Sequence, residues 1–145
     1  DVIDTVLSEP NPDLYDAWLR VNIIQSSKGE EYFNDLMVVF NRANNLSRKA
    51  DPNVVCDYAN LVDDSEKALH QAIQGLSGEF AAAMAKAQYQ QAMQLIAGLR
   101  PAVDRFFEAV MVMVDDDKLR QARLGLLGEI ATMCKIVGDF TKIVQ

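Results

Sequence analysis

Histidine is almost missing from this sequence: His70 stands alone in 145 residues. A dimetal site in a helical bundle needs paired Glu-x-x-His motifs on facing helices, and Glu66 lies four residues before His70 rather than three. A lone helix histidine is read as an exposed or hydrogen-bonded side chain, so no metal site is expected. Cysteine is equally scarce. Cys56 and Cys134 are the only two, too few for a disulfide framework and read as free thiols in a reducing compartment. With one histidine, a Cys–His nucleophile pair would rest on coincidence. No glycine-rich phosphate loop follows a strand pattern. No apolar run reaches the length of a membrane span, and the start does not read as a signal peptide. Positive charge is short as well: 14 Lys and Arg stand against 21 Asp and Glu, a formal net charge of −7. That balance argues against a protein that coats itself in nucleic acid. The expected active sites, metals and cofactors within the chain are therefore none.

Half of the residues are hydrophobic, enough for one real core in a chain of this length. No strand alternation of useful length occurs, and no linker, repeat or low-complexity tract divides the chain. The expected fold is all-α, a single bundle of about five to seven helices over residues 1–145. The chain opens on Asp1 rather than Met, which suits a piece of something longer. Residues 1–12 then read as the tail of a preceding domain, with Val2, Ile3, Val6 and Leu7 in a short helix closed by Glu9-Pro10-Asn11-Pro12.

The stretch from Pro101 to Leu127 organises the rest. Val103, Phe106, Phe107 and Val110 make one apolar helix face, and Pro101 suits the first turn. Met111, Val112, Met113 and Val114 form an unbroken apolar run, expected to be buried. Asp115, Asp116 and Asp117 offer an N-cap and a favourable charge at the next helix start. Leu119, Leu126, Leu127, Ile130, Met133, Cys134 and Val137 would be its core face. Upstream, Asp13 is expected to cap a helix with Leu14, Trp18, Val21 and Ile24 inward. Ser27 and Glu30 have capping-box spacing for a helix from about Glu30 to Lys49. In that helix Phe33, Leu36, Met37, Phe40 and Ala43 face inward, while Arg42, Asn45 and Lys49 share the opposite face. Asp51-Pro52-Asn53 signals a turn, and Val54 to Val62 reads as a loop or a helical turn. Asp63, Asp64 or Ser65 starts a further helix, striped by Leu69, Ala72, Ile73, Leu76, Phe80 and Met84. Another runs from about Ala87 to Leu99, and Phe140 and Ile143 tie the tail down.

Several of these residues carry a likeness. Phe33-Asn34-Asp35-Leu36, Phe40 to Leu46, Phe106-Phe107-Glu108, Val110 to Met113, Asp116, Leu119-Arg120 and Arg123-Leu124 together resemble the anticodon-binding module at the C-terminus of bacterial-type glycyl-tRNA synthetase β subunits. Modules of this class are named for the tetrapeptide Asp-Ala-Leu-Arg, represented here by Asp117-Lys118-Leu119-Arg120, with lysine in place of alanine. The likeness covers most of the chain. It implies a DALR-type helical module, non-catalytic by itself, within an enzyme that charges glycine tRNA using ATP. An α subunit carrying the activating site would be the partner through the parent β chain, in the cytoplasm, with no DNA or membrane involved.

The cations are placed for such a role. Residues 36–50 hold Arg42, Arg48 and Lys49 without an acid, and residues 118–128 hold Lys118, Arg120 and Arg123 without one. Under the resemblance Arg42, Lys49, Lys118 and Arg120 would grip phosphates and Asn45 would read a base edge. Glycine anticodons share two cytosines, whose N4 amino group suits an asparagine oxygen. A plain solvated helix face is the competing reading of Arg42, Asn45 and Lys49. Arg123 falls on the apolar face of its helix, so it is either a structural ion pair with Asp104, Glu108 or Asp139, or an RNA contact. Two other functions stay open: a bundle that docks a partner subunit without RNA, and the related anticodon module of arginyl-tRNA synthetases.

Overall fold

The computed structural model describes residues 2–3, 13–54 and 56–143. Six α-helices order these residues: α1 Leu14–Ser27, α2 Glu31–Ser47, α3 Asp64–Ala85, α4 Tyr89–Ala97, α5 Arg100–Ala109 and α6 Asp117–Val137. One-turn 3-10 helices lie at Tyr58–Asn60 and Phe140–Lys142, and there is no strand among the described residues. The all-α expectation holds. Val2 and Ile3 are helical, while the expected positions of Val6, Leu7 and the Glu9–Pro12 turn lie outside the described residues.

The core is continuous and centres on α6. Leu124, Leu126, Leu127, Ile130, Cys134 and Val137 are all fully buried, so this helix is covered on several sides rather than along one stripe. Leu119 is only half-buried, because it sits in the first turn, before the covering helices begin. Helix α2 lies antiparallel along α6. Its C-terminal turn reaches Gln121, whose Oε1 accepts from the Asp51 amide at 3.1 Å, and Phe33 and Phe40 pack against Phe140 beyond the other end of α6. Phe33, Leu36, Met37, Phe40 and Ala43 are buried as their spacing predicts.

Three helix starts, those of α1, α3 and α6, carry an aspartate cap. Asp13 accepts from the amides of Tyr15 and Asp16, and Asp116 accepts from Leu119, satisfying donors that the helix leaves unpaired. Asp63 caps α3 in a reciprocal box with Glu66. The box expected from Ser27 and Glu30 does not form. Ser27 is the buried last residue of α1, and its hydroxyl donates to the Ile23 carbonyl at 2.7 Å. It is thus spent on the preceding helix, and Glu30 starts α2 without a side-chain cap.

Helix α1 is rotated from the expected face. Leu14 and Trp18 are exposed, whereas Ala17, Arg20, Ile24 and Ser27 point inward. Arg20 explains the rotation. Its Nη1 donates to the Ile136 and Val137 carbonyls at 2.8 and 2.9 Å, at the C-terminal end of α6. Those carbonyls have no intrahelical donor and sit at the negative end of the dipole. The guanidinium also lies 4.5 Å over the Tyr89 ring and pairs with Asp16. Satisfying it outweighs burying two larger apolar side chains.

Helix α3 passes through Gly75 and Gly78 without a break and ends in a six-residue Schellman turn. The Gln88 amide donates to Ala83 and the Ala87 amide to Met84, which places Ala87 in the left-handed region at φ 55°. An L-residue there costs about 1–2 kcal/mol that glycine does not. Ala87→Gly is expected to raise stability by about 0.5–1 kcal/mol, after allowing for glycine's looser unfolded chain. A urea melt measures it; a lower midpoint with an unchanged slope would contradict this reading of the turn.

Candidate nucleic-acid interface

One end of the bundle collects three elements: the last turn of α2, the bend of residues 110–116, and the first turn of α6. The bend is not the tight buried connection expected from its composition. Met111 and Met113 are 72% and 43% exposed, while Val112 between them is buried. The backbone bends at residues 112, 113 and 115, and Val112 turns inward while Met111 and Met113 stay outside. Val110 is extended, at φ −131° and ψ 150°.

Two arginines fix that bend from below. The buried Arg123 donates from Nη1 to the Met111 carbonyl at 2.7 Å. Arg120 donates from Nη1 to the Val114 carbonyl at 2.8 Å and more weakly to Asp115 at 3.4 Å, and it pairs with Asp117. Both arginines thus tie the bend to α6, and the two methionine side chains lie on its outer side.

Arg123 is ion-paired, but with a partner on another helix from those expected. Its Nε donates to Glu66 Oε1 rather than to Asp104, Glu108 or Asp139. Glu66 is fully buried, and its Oε2 accepts the Val62 and Asp63 amides at 2.8 and 3.0 Å. A carboxylate that closes a capping box and receives an arginine is satisfied on both oxygens, which is what a buried charge requires. Sequence spacing gave no sign of this pair because 57 residues separate its members.

The other candidate residues divide into held and free. Arg42 is held: it pairs with Asp104 at 2.7 Å and lies 5.4 Å from the Phe107 ring. Asp104 also receives Arg100 at 3.6 Å, and Arg100 reaches Asp35 at 2.7 Å. Arg42 thus belongs to a partly exposed ladder joining α2 to α5. Arg120 is likewise folded onto the bend and not free as expected. Asn45, Lys49 and Lys118 are exposed, and none makes a side-chain hydrogen bond or ion pair among the described residues. Lys49 lies two residues past α2, in the turn bonded to Gln121, so the fold brings it to the same end as Lys118. Arg48 is also exposed there. It was visible in the acid-free run 36–50 but was not among the sequence candidates.

Acids border this surface. Asp115, Asp116 and Asp117 are exposed, but Asp116 spends an oxygen on the Leu119 amide and Asp117 on Arg120. The uncompensated positive charge is therefore on the Arg48–Lys49 side. Chemically the end offers lysine and arginine heads for phosphates, an asparagine amide for a base edge, and two polarizable methionine side chains on which a planar ring can rest. Among the described residues no group of three or more His, Cys, Asp and Glu is placed to hold a metal ion. Cys56 and Cys134 are free thiols, and burial pushes the Cys134 thiol up to about 12, which makes it an inert core residue. No helix among the described residues is long and apolar enough to cross a membrane.

The chain is similar to known proteins over nearly its whole length. A family model described as the DALR anticodon binding domain matches residues 36–138. The glycine–tRNA ligase beta subunit of Syntrophomonas wolfei is 45% identical over 144 residues, covering 99% of this chain and 21% of the relative. Its namesake from Citrifermentans bemidjiense is 37% identical over 143 residues with the same coverage. The one from Persephonella marina is 34% identical over 146 residues, covering 99% and 20%. The chain thus spans about a fifth of the length of these curated relatives.

Proposed function

The chain belongs to the DALR anticodon-binding domain family, and from that premise we propose that it holds the anticodon stem-loop of glycine tRNA as one module of a glycine–tRNA ligase β subunit. The carrying observation is the gathering of exposed Arg48, Lys49 and Lys118 beside Met111 and Met113 at one end of the bundle. The relatives' names support the amino acid. In this reading lysines and arginine take phosphates and set the loop's position. Asn45 presents its amide oxygen to a cytosine N4. Arg42 and Arg120 contribute through their placement of α5 and the bend, and Arg123 through the bend alone. The module performs no chemistry. ATP and glycine are handled elsewhere in the parent cytoplasmic enzyme, the activating site residing on an α subunit.

The test is a titration of labelled glycine tRNA, and of a version with both anticodon cytosines changed to uracil. Binding at least 10-fold tighter to the first is expected, since one lost base-edge contact is worth about 1–3 kcal/mol. Equal and weak binding to both would leave the chain as a docking bundle.

One observation favours a protein contact in addition, on another face. Leu14, Tyr15 and Trp18 are 79%, 72% and 60% exposed on α1. The Tyr15 and Trp18 rings stack at 6.2 Å. Asp13 and Asp16 lie beside them in sequence, a poor setting for phosphate. An exposed aromatic patch of this kind suits the body of a longer parent enzyme.

A further inference from the structure

The chain has six methionines, and the fold treats them in two ways. Met37, Met93 and Met133 are buried, and Met84 packs partly buried against the core. Met111 and Met113 are exposed, and both lie in the bend at the cationic end. The backbone of that bend is held without them. Its carbonyls at Met111 and Val114 accept from Arg123 and Arg120 at 2.7 and 2.8 Å, and Val112 anchors it in the core. The two thioethers therefore add little to the fold, and each stands on a fixed backbone facing solvent.

A thioether is soft and polarizable, and a flat ring lies well against it. An unpaired base offers such a ring, and the phosphate attached to it offers a charge. This end of the bundle supplies the opposite charge through exposed Arg48, Lys49 and Lys118. The two sides share one frame: the Asp51 amide, just past Lys49, donates to Gln121 on α6 at 3.1 Å, and Lys118 stands in the first turn of that helix. Apolar side chains beside three free cations suit a nucleotide better than a protein segment, which would cover the cations without pairing them. Methionine also brings a reactivity that leucine would not. Hydrogen peroxide is attacked by the thioether sulfur, and its O–O bond breaks. One oxygen forms the S–O bond of a sulfoxide, and the other leaves with both protons as water. The sulfur gives up an electron pair and the peroxide takes it.

We propose that Met111 and Met113 are both the seat on which an unpaired base of the RNA loop stacks and the oxidation site of the module, so that peroxide converts them to sulfoxides and loosens its hold on RNA. The inference rests on the reading of the chain as an anticodon-binding module, because that reading supplies the unpaired bases. A sulfoxide is polar and well hydrated, so a base that leaves water to lie on it gains little. Its oxygen also brings negative partial charge toward the phosphates, on a surface already bordered by exposed Asp115 and Asp116. The carbonyls held by Arg120 and Arg123 are untouched, so oxidation alters the surface and leaves the fold. Cys56 is the competing target. Its Sγ donates to the Gln121 carbonyl at 3.3 Å, and burial followed by the charge of Glu129 raises its pKa, which makes it a slow thiol.

The experiment measures the affinity of the full chain for a glycine anticodon stem-loop hairpin before and after treatment with hydrogen peroxide, with thiols re-reduced by dithiothreitol and sulfoxides mapped by peptide mass. Sulfoxide is expected first at Met111 and Met113, and bound hairpin should slow its formation at both. Affinity should fall about 3- to 10-fold, the scale of lost sulfur–ring contacts. A methionine sulfoxide reductase should restore it, and the urea midpoint should not move. A variant carrying Met111→Leu and Met113→Leu has no sulfur to oxidise there. Whatever its starting affinity, peroxide should leave that affinity unchanged. If the chain with both sulfoxides binds as tightly as before, if the hairpin gives no protection, or if the leucine variant loses affinity on oxidation as the unaltered chain does, the two methionines are not the seat, while the module reading stands. If the reduced, unaltered chain does not bind the hairpin, the module reading falls with it.

Discussion

Glu66→Leu should lower the unfolding free energy by about 3–5 kcal/mol, a loss that can unfold a domain whose whole stability is about 5–15 kcal/mol. The substitution removes the acceptor of Arg123, whose side chain is 7% exposed, and leaves a guanidinium inside the protein without its counter-charge. It also returns the Val62 and Asp63 amides to an unpaired state, undoing the cap of α3. Arg123→Met should cost about as much by the converse route, stranding a carboxylate that is fully buried. The double variant should be less damaged than the sum of the singles by a coupling of roughly 1–3 kcal/mol, because neither charge is then stranded. Urea melts of the four proteins give the cycle. Additive losses, or a single loss below about 1 kcal/mol, would mean that the pair is solvated and that burial is not what makes it costly to break. Arg123→Met has a second expected consequence: the Met111 carbonyl loses its donor, so the bend should loosen and RNA affinity fall even where the chain stays folded.

Arg48→Ala, Lys49→Ala and Lys118→Ala together should weaken tRNA binding by about 10- to 100-fold near physiological salt. Each side chain is exposed and without an ion pair among the described residues, so each is available to displace a counterion from a phosphate. Three such contacts contribute about 2 to the slope of log affinity on log salt for a single-stranded loop, and the triple variant should lose that much of it. The loss should be similar for cytosine and uracil anticodons, since phosphate contacts carry no sequence information. Folding should change by no more than about 0.5 kcal/mol, as for surface positions generally. Arg42→Ala is a useful contrast. It breaks a half-exposed pair with Asp104, worth about 0–1 kcal/mol, and should leave the salt slope nearly unchanged. A triple variant with an undiminished slope would place the RNA elsewhere.

Sequence patterning carried the helices well where one face alone is buried. The stripe of α2 and the cap at Asp13 followed from spacing and local polar chemistry. It failed where a long-range polar partner overrode the local pattern. Arg20 turned α1 away from its larger apolar side chains because two helix-end carbonyls of α6 lay within reach, 116 and 117 residues away in the chain. The methionine bend failed for the same reason: composition argued for burial, while the carbonyls claimed by Arg120 and Arg123 set the backbone and sent the side chains outward. The cations of the site were legible as acid-free runs, but their division into held and free was not, since that depends on Asp104 and the bend.

Photo-cross-linking of the glycine anticodon stem-loop to this chain, followed by peptide mapping, tests the placement most directly. Cross-links at residues 42–49 and 111–120 are expected, with none on α1. Cross-links confined to the Leu14–Trp18 face, with the cationic end unmarked, would contradict the account.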